Sequence, residues 1–315
     1  MERNGNMEDR TAVLGGGSLG LLLAGRLYAA GRECVVWTRT REQAERLNGE
    51  GLRIEAGNGL PERRTAACAR AWEDAEPTAG IVLLTVKQTA LSDRFLKRLA
   101  ELVPPGGTIV PFQNGIGHVE ALRKALPGRQ IAVAVTTEGA WRTGAASVRH
   151  TGHGDIRLGD DGEVRPETLQ VVERMLTEAG FSVFLSKQLN NEMMRKLLIN
   201  AVVNPLTAIL RIPNGALAKT PERLELAKAL FRETYEVLRA YGLEGESEDL
   251  WETLTRVCEA TADNRSSMLQ DVEAGKETEV DSINGMIVRM AAAKHSDAPW
   301  NRMATALVKA LHDNG

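Results

Sequence analysis

Cysteine is scarce in this chain. Cys34, Cys68 and Cys258 are odd in number, far apart and form no C-x-x-C, so neither a disulfide framework nor a cysteine zinc site is indicated. Histidine is thin as well, and His150 and His153 are the one close pair. Gly152 and Gly154 beside them predict a turn carrying a solvated pair. With no His/Asp cluster elsewhere, no metal is expected. There is no Lys/Arg block: 39 basic side chains face 42 acidic ones, for a net charge of −3, which leaves no footprint for a nucleic-acid backbone. Apolar stretches such as Leu197–Val203 are interrupted by polar residues well short of the ~20 needed to span a bilayer, so no membrane partner is expected. Residues 1–10, Met1–Arg10, are polar and lack the apolar core of a signal peptide. They read as a leader before the first strand, and the expected location is the cytoplasm. No internal repeat or low-complexity segment is visible.

What remains is ordinary globular composition, with 43% hydrophobic and 26% charged residues over 315 positions, a length that suits two domains. The first half alternates strand and helix. Strands are predicted at Thr11–Leu14, Glu33–Trp37, Gly80–Val86, Thr108–Val110, Ile131–Thr136 and Phe181–Leu185, with helices at Leu19–Ala30 and Pro166–Glu178. Such alternation predicts a mostly parallel sheet covered on both faces. Ala145–Leu158 is richer in Gly and β-formers and predicts added antiparallel strands. From Asn191 the strand signal fades, and helices are predicted at Glu192–Leu210, Pro221–Tyr241, Glu248–Thr261, Glu279–Lys294 and Trp300–His312. The expected fold is therefore an α/β, Rossmann-like dinucleotide-binding domain over 11–186, then an all-α C-terminal domain over 187–315.

Gly15-Gly16-Gly17-Ser18-Leu19-Gly20 fits G-x-G-x-x-G between a strand and a helix. Gly15 permits the tight turn, Gly17 lets backbone approach a pyrophosphate, and Gly20 lets helix and strand pack closely. The helix N-terminus supplies N–H groups and dipole for the anion. An NAD binder places a carboxylate at the end of the second strand to hold the ribose 2′-hydroxyl. Here that strand ends Val36-Trp37-Thr38-Arg39-Thr40-Arg41, with no carboxylate before Glu42. A guanidinium at Arg39 suits a 2′-phosphate, with Thr38 as a further hydroxyl donor, so NADPH/NADP+ is the expected cofactor.

The segment Glu192–Pro205 is apolar over most of its length after Lys196, yet Glu192, Lys196, Asn200 and Asn204 recur every four residues. Four residues turn a helix through about 400°, so the four side chains drift only about 40° per step and form one stripe. On a buried helix such a stripe requires partners and points to a ligand-facing role. On an exposed helix it would be a Glu192–Lys196 pair and two capping asparagines. Glu279 lies four before Ile283 on the apolar face of its predicted helix. It is either an inward carboxylate paired with a cation such as Lys196 or a first-turn acid serving the helix dipole.

Together these pieces resemble the ketopantoate reductases, or 2-dehydropantoate 2-reductases, from Thr11 to about Leu311. The resemblance is carried by Gly15–Gly20, Arg39, Thr85-Val86-Lys87, Gln113-Asn114-Gly115, Thr136-Thr137 and the run from Arg195 to Ala208. Ser266-Ser267-Met268-Leu269-Gln270-Asp271, Thr278-Glu279-Val280-Asp281 and Asn284-Gly285 complete it. The resemblance implies reduction of ketopantoate to (R)-pantoate by NADPH, on the route to pantothenate and coenzyme A, in a cleft between the two domains. It implies Lys196 as the catalytic acid, with Glu279 in the active site. It implies substrate contacts from Asn200, Asn204 and Ser267, and Lys87 and Asn114 where cofactor and substrate meet. Gly15, Gly17, Ser18, Leu19, Gly20 and Arg39 are the expected cofactor residues.

The chemistry suits these residue types. Hydride arriving at a ketone carbon leaves negative charge on oxygen, which a lysine ammonium can stabilise and protonate. Ser267 and the asparagines are neutral donors for a 2-keto acid. Three alternatives stand beside this reading: a reductase of another branched 2-keto acid, a β-hydroxyacid dehydrogenase-like enzyme, and a non-catalytic NADPH-sensing protein. The β-hydroxyacid dehydrogenases begin with G-x-x-G-x-G, unlike this chain, and a sensor needs neither Lys196 nor Glu279. The partner is a small-molecule substrate, and monomer or homodimer is left open.

Overall fold

The computed structural model describes residues 11–55, 62–77, 80–159 and 162–311. The expected leader, Met1–Arg10, lies outside the described residues. The chain divides into two compact units, Met1–Gln113 with Gly117–Leu189 and Asn114–Ile116 with Asn190–Gly315.

The first unit runs β1 (Thr11–Leu14), α1 (Ser18–Ala29), β2 (Cys34–Thr38), α2 (Arg41–Glu50), β3 (Leu52–Glu55), β4 (Arg63–Thr65), β5 (Ala69–Ala71) and β6 (Ile81–Leu84). It continues with α3 (Asp93–Leu102), β7 (Thr108–Pro111), α4 (His118–Ala125), β8 (Gln130–Ile131), β9 (Val133–Thr136), β10 (Gly139–Gly144), β11 (Ser147–Gly152), β12 (Asp155–Gly159), α5 (Pro166–Glu178) and β13 (Ser182–Leu185).

Six strands form a parallel sheet in the order β5-β2-β1-β6-β7-β8. Its central strands are buried throughout and apolar but for Thr11 and Thr108, because both faces are covered. Val13, Leu83 and Val110 enter one core, while Ala12, Leu14, Val82, Leu84 and Ile109 enter the other. Successive side chains thus alternate between the faces. Leu21, Leu22, Leu23 and Leu27 of α1 fill the first core, and Gly25 brings the helix close to Ile54.

Two smaller sheets complete the unit, in the orders β10-β11-β3-β4 and β13-β12-β9. The predicted strand Ile131–Thr136 is split between sheets: β8 joins the large sheet and β9 pairs with β12. A stretch of β-formers sets strand propensity but not which neighbour completes the ladder. The antiparallel strands expected in Ala145–Leu158 are present in β10–β11 and β12–β9, while β11–β3 and β12–β13 are parallel.

The expected solvated His150–His153 pair is corrected. His150 sits on β11 at 1% exposure, with Nε2 2.5 Å from Glu138 Oε2 and Nδ1 3.2 Å from Arg26 Nη2. His153 is exposed and its ring packs edge-on against His150, with centroids 4.3 Å apart. Flanking glycines marked the chain's departure from the strand but not the burial of the residue before it.

The second unit is helical: α6 (Leu189–Leu210), α7 (Pro221–Arg239), α8 (Ser247–Ala260), α9 (Ser267–Glu273), α10 (Asn284–Ala293) and α11 (Pro299–Ala310). The helix expected over Glu279–Lys294 begins only at Asn284, and Val280–Ile283 form turns. α6 is 22 residues long and continues through Pro205. By length and composition it is apolar enough to cross a membrane, which corrects the expectation that every apolar stretch falls short. Most of it is buried in this unit, where Leu197, Leu198, Ala201, Val202 and Val203 pack among Leu230, Phe231, Leu254, Ile287 and Val308. It is a core helix.

Buried amides set how the other helices meet α6. Asn284 Nδ2 donates to the Ala201 carbonyl at 2.8 Å and to Asn301 Oδ1 at 2.9 Å. Thr207 Oγ1 lies 2.7 Å from Ser266 Oγ, the N-cap oxygen of α9, which accepts from Leu269 N.

Candidate active site

The glycine loop joins β1 to α1. Gly15 has φ of +124°, a conformation that L side chains rarely adopt, and a Cβ there would lie 2.6 Å from Thr85 Oγ1. A Cβ on Gly20 would meet the Gly15 carbonyl oxygen at 1.9 Å. Gly17 is different, since its missing Cβ would meet nothing within 4 Å. It is also the N-cap of α1, so no side chain caps the first-turn amides. A tight turn with an open middle glycine and uncapped amides fits a dinucleotide pyrophosphate.

Ser18 and Leu19 open α1, and Ser18 Oγ accepts from the backbone N–H of Arg142 at 3.0 Å. The carbonyl of Gly16 accepts from Gln43 Nε2 at 2.8 Å and from Arg142 Nη1 at 3.1 Å. The sequence carried no signal for either contact, because both donors come from separate elements.

Arg39 follows β2 and is exposed; among the described residues no carboxylate pairs with it. An exposed guanidinium without a carboxylate partner is free to bind a phosphate. The expected role of Thr38 is corrected. Its side chain is fully buried and Oγ1 donates to the Thr40 carbonyl at 2.8 Å, so the hydroxyl serves the turn into α2. Lys87 lies half-buried just beyond β6, in the first unit.

The other candidate residues belong to the second unit. Lys196, Asn200 and Asn204 follow one another at single-turn intervals along α6. Lys196 and Asn200 are half-buried and Asn204 is 6% exposed. Among the described residues none of the three side chains has a hydrogen-bond partner in the protein. Burial lowers the Lys196 ammonium to about 8, while the Glu279 carboxylate nearby works in the opposite direction.

Glu279 is 8% exposed although no helix carries it. Its position is set by the turn before α10, where its carbonyl accepts from Ser282 N and Ile283 N at 3.0 Å. Its Oε2 accepts from Asn114 Nδ2 at 3.2 Å. Of the two readings left open for Glu279, the inward carboxylate is the one present, but helical periodicity is not its cause. Lys196, Glu279 and Asn114 are thus brought together. Ser267, the first residue of α9, is exposed and no hydrogen bond joins it to the α6 stripe.

The arrangement holds a half-buried ammonium whose pKa burial brings down to about 8, a carboxylate restrained by an amide, and two amide side chains with unused donors along the same helix. It can bind an anionic oxygen substrate and deliver a proton. An α/β unit that opens on a dinucleotide glycine loop, joined to an all-helical unit, defines a dinucleotide-dependent oxidoreductase.

Comparison with known proteins narrows that class. The family model described as Ketopantoate reductase PanE/ApbA matches residues 11–163, and the one for Ketopantoate reductase PanE/ApbA C terminal matches 188–312. The chain belongs to the ketopantoate reductase family. A 2-dehydropantoate 2-reductase of Bacillus subtilis is 34% identical over 307 residues, covering 97% of this chain and 98% of the relative. The crystal structure of a PanE/ApbA family ketopantoate reductase from Ralstonia eutropha is similar with a TM-score of 0.86 and 26% identity, covering 96% and 98%. A D-mandelate dehydrogenase in complex with NADH and anilino(oxo)acetate shares the fold, with a TM-score of 0.89 at 23% identity, covering 96% and 98%.

Proposed function

We propose that the protein is an NADPH-dependent 2-dehydropantoate 2-reductase that forms (R)-pantoate. The observation that carries this reading is the stripe on α6: a half-buried Lys196 lowered to about 8, followed one and two turns on by the unpartnered amides of Asn200 and Asn204. Family membership supports the substrate, and Arg39 with the glycine loop supports the cofactor.

In this reading Gly15, Gly17, Gly20 and the first turn of α1, Ser18 and Leu19 included, hold the cofactor pyrophosphate, and Arg39 holds its 2′-phosphate. When bound, the reduced nicotinamide supplies the hydride. Lys196 points its ammonium at the ketone oxygen, stabilises the charge that develops there and donates the proton. A pKa of about 8 leaves the ammonium largely protonated at neutral pH yet acidic enough to transfer readily. Glu279 favours the charged form of Lys196, and Asn114 holds the Glu279 carboxylate by its hydrogen bond. Asn200, Asn204 and Ser267 donate to the substrate carboxylate and hydroxyl, and Lys87 serves where substrate and cofactor meet. The partners are small molecules, the setting is the cytoplasm, and the protein acts as a monomer or homodimer.

The test follows the nicotinamide absorbance while NADPH is mixed with ketopantoate, 2-ketoisovalerate or other branched 2-keto acids. The expected result is oxidation with the highest kcat/KM for ketopantoate. A higher value for another 2-keto acid would reassign the substrate. Binding of NADPH with no oxidation by any of them would leave a sensor.

A further inference from the structure

We propose that Arg142 is a second determinant of cofactor choice, forming with Arg39 a pair of guanidiniums that clasps the phosphate monoester distinguishing NADPH from NADH. This rests on the NADPH reading above and extends it to a residue outside the glycine loop and the β2 end.

Arg142 lies on β10, more than a hundred residues after the loop it touches. Its backbone N–H donates to Ser18 Oγ at 3.0 Å, its Nη1 to the Gly16 carbonyl at 3.1 Å and its Nε to the Gly144 carbonyl at 3.0 Å. The guanidinium is therefore pinned at Nη1 to the glycine loop and at Nε to Gly144 of its own strand, and Nη2 has no partner among the described residues. The planar group is held in one orientation beside the glycine turn, so little side-chain entropy remains to be lost when an anion binds.

The electrostatics run the same way. Half-burial lowers the pKa of Arg142 from its ordinary value, and the charge of the nearby Arg39 adds to the lowering. Among the described residues no carboxylate pairs with either arginine. Two neighbouring cations without a counter-charge repel each other, and an anion lying between them removes that repulsion while gaining charge-assisted hydrogen bonds from both. Gln43 and Arg142 both donate to the Gly16 carbonyl, which reduces the negative potential that this oxygen presents to an incoming phosphate. A doubly charged phosphate monoester suits two guanidiniums better than a ribose hydroxyl does.

The experiment measures binding without substrate, using NADPH, NADH, adenosine 2′,5′-bisphosphate and adenosine 5′-monophosphate on the full chain. Arg142→Gln removes the charge and keeps one amide donor at the depth of Nε, where the Gly144 carbonyl accepts; Arg142→Lys keeps the charge and removes the fork. The expected result for Arg142→Gln is about tenfold or greater weakening of the two 2′-phosphorylated ligands, with less than about threefold change for the other two. Arg142→Lys should show a smaller loss with the same selectivity, and melting temperatures report folding of each variant. A combined Arg39→Ala, Arg142→Gln variant should lose less than the product of the single losses, because the two share one ligand group. Equal weakening of all four ligands overturns the proposal and leaves Arg142 as a brace of the loop. Unchanged affinities overturn it outright. If the unsubstituted protein does not itself prefer NADPH to NADH, the cofactor reading falls as well. That result is distinct from a wild-type preference that survives in the variants.

Discussion

Asn114 donates a hydrogen bond of 3.2 Å to Oε2 of Glu279, a residue 165 positions further along the chain. The amide comes from the segment after β7 and the carboxylate from the turn before α10. Holding one carboxylate oxygen fixes the charge that opposes the burial of Lys196. A restrained carboxylate is a more constant electrostatic partner than a rotating one, so the protonation of Lys196 is tied to this contact.

The pH dependence follows. The acid form of Lys196 is needed for proton donation, and burial brings its pKa down to about 8. The kcat/KM for ketone reduction should be highest below that value and fall as pH rises through it. Glu279 raises this pKa, so Glu279→Gln should move the descending limb to lower pH. A pH–rate profile of both proteins checks this, and an unmoved limb would show that another group titrates.

Lys196→Ala should lower kcat and kcat/KM together, by roughly 10²–10⁴-fold, because the interaction is strongest in the transition state. NADPH affinity should change little. Lys196→Arg should recover little activity, since the guanidinium keeps the charge but is a far weaker acid. Steady-state kinetics with direct NADPH titration separate the two effects. A near-normal kcat with a raised KM would instead make Lys196 a clamp for the substrate carboxylate.

Arg39→Ala should weaken NADPH by about 1.5–3 kcal/mol and NADH far less, since a single charge-assisted contact to the 2′-phosphate is lost. Fluorescence titration with both cofactors measures the difference. Equal losses would remove Arg39 from this role.

Gly20→Ala is expected to be damaging out of proportion to its size. The added methyl would lie 1.9 Å from the Gly15 carbonyl and 2.6 Å from Thr85 Oγ1, so loop and helix must separate. Loss of cofactor binding together with a lower melting temperature should follow. Gly17→Ala, whose Cβ meets nothing within 4 Å, should retain the wild-type melting temperature while weakening cofactor binding.

Much of the α/β unit was legible because its signals are local. A strand buried on both faces reads as a continuous apolar run, as in Ile81–Leu84. The helix Pro166–Glu178 announces itself by proline in its first turn. The common helix of Lys196, Asn200 and Asn204 was readable because a spacing of four on a helix is itself geometry. Both readings of Glu279, inward carboxylate or first-turn acid, assumed a helix that the turn before Asn284 does not have. Its burial has a different origin, in the packing of the turn and the amide of Asn114.

By itself the amino-acid sequence determined the main strands of the large sheet, helices α1 and α5 and the long C-terminal helices, where glycine is required, and which polar side chains share a face of α6, while α2, α3, α4, α9 and β3 to β5 were not read from it. These follow from backbone sterics and from periods of two and 3.6 residues, which act over a few positions. Only the tertiary structure decided that Ile131 and Val133 belong to different sheets, that His150 is buried, and that Thr38 spends its hydroxyl on the chain. It alone brought Arg142 to Gly16 and Asn114 to Glu279, and lowered the pKa of Lys196. Apart from the local bond from Thr38 to Thr40, each of these depends on which distant elements become neighbours and how much water they exclude, and desolvation and long-range pairing are properties of the packed whole.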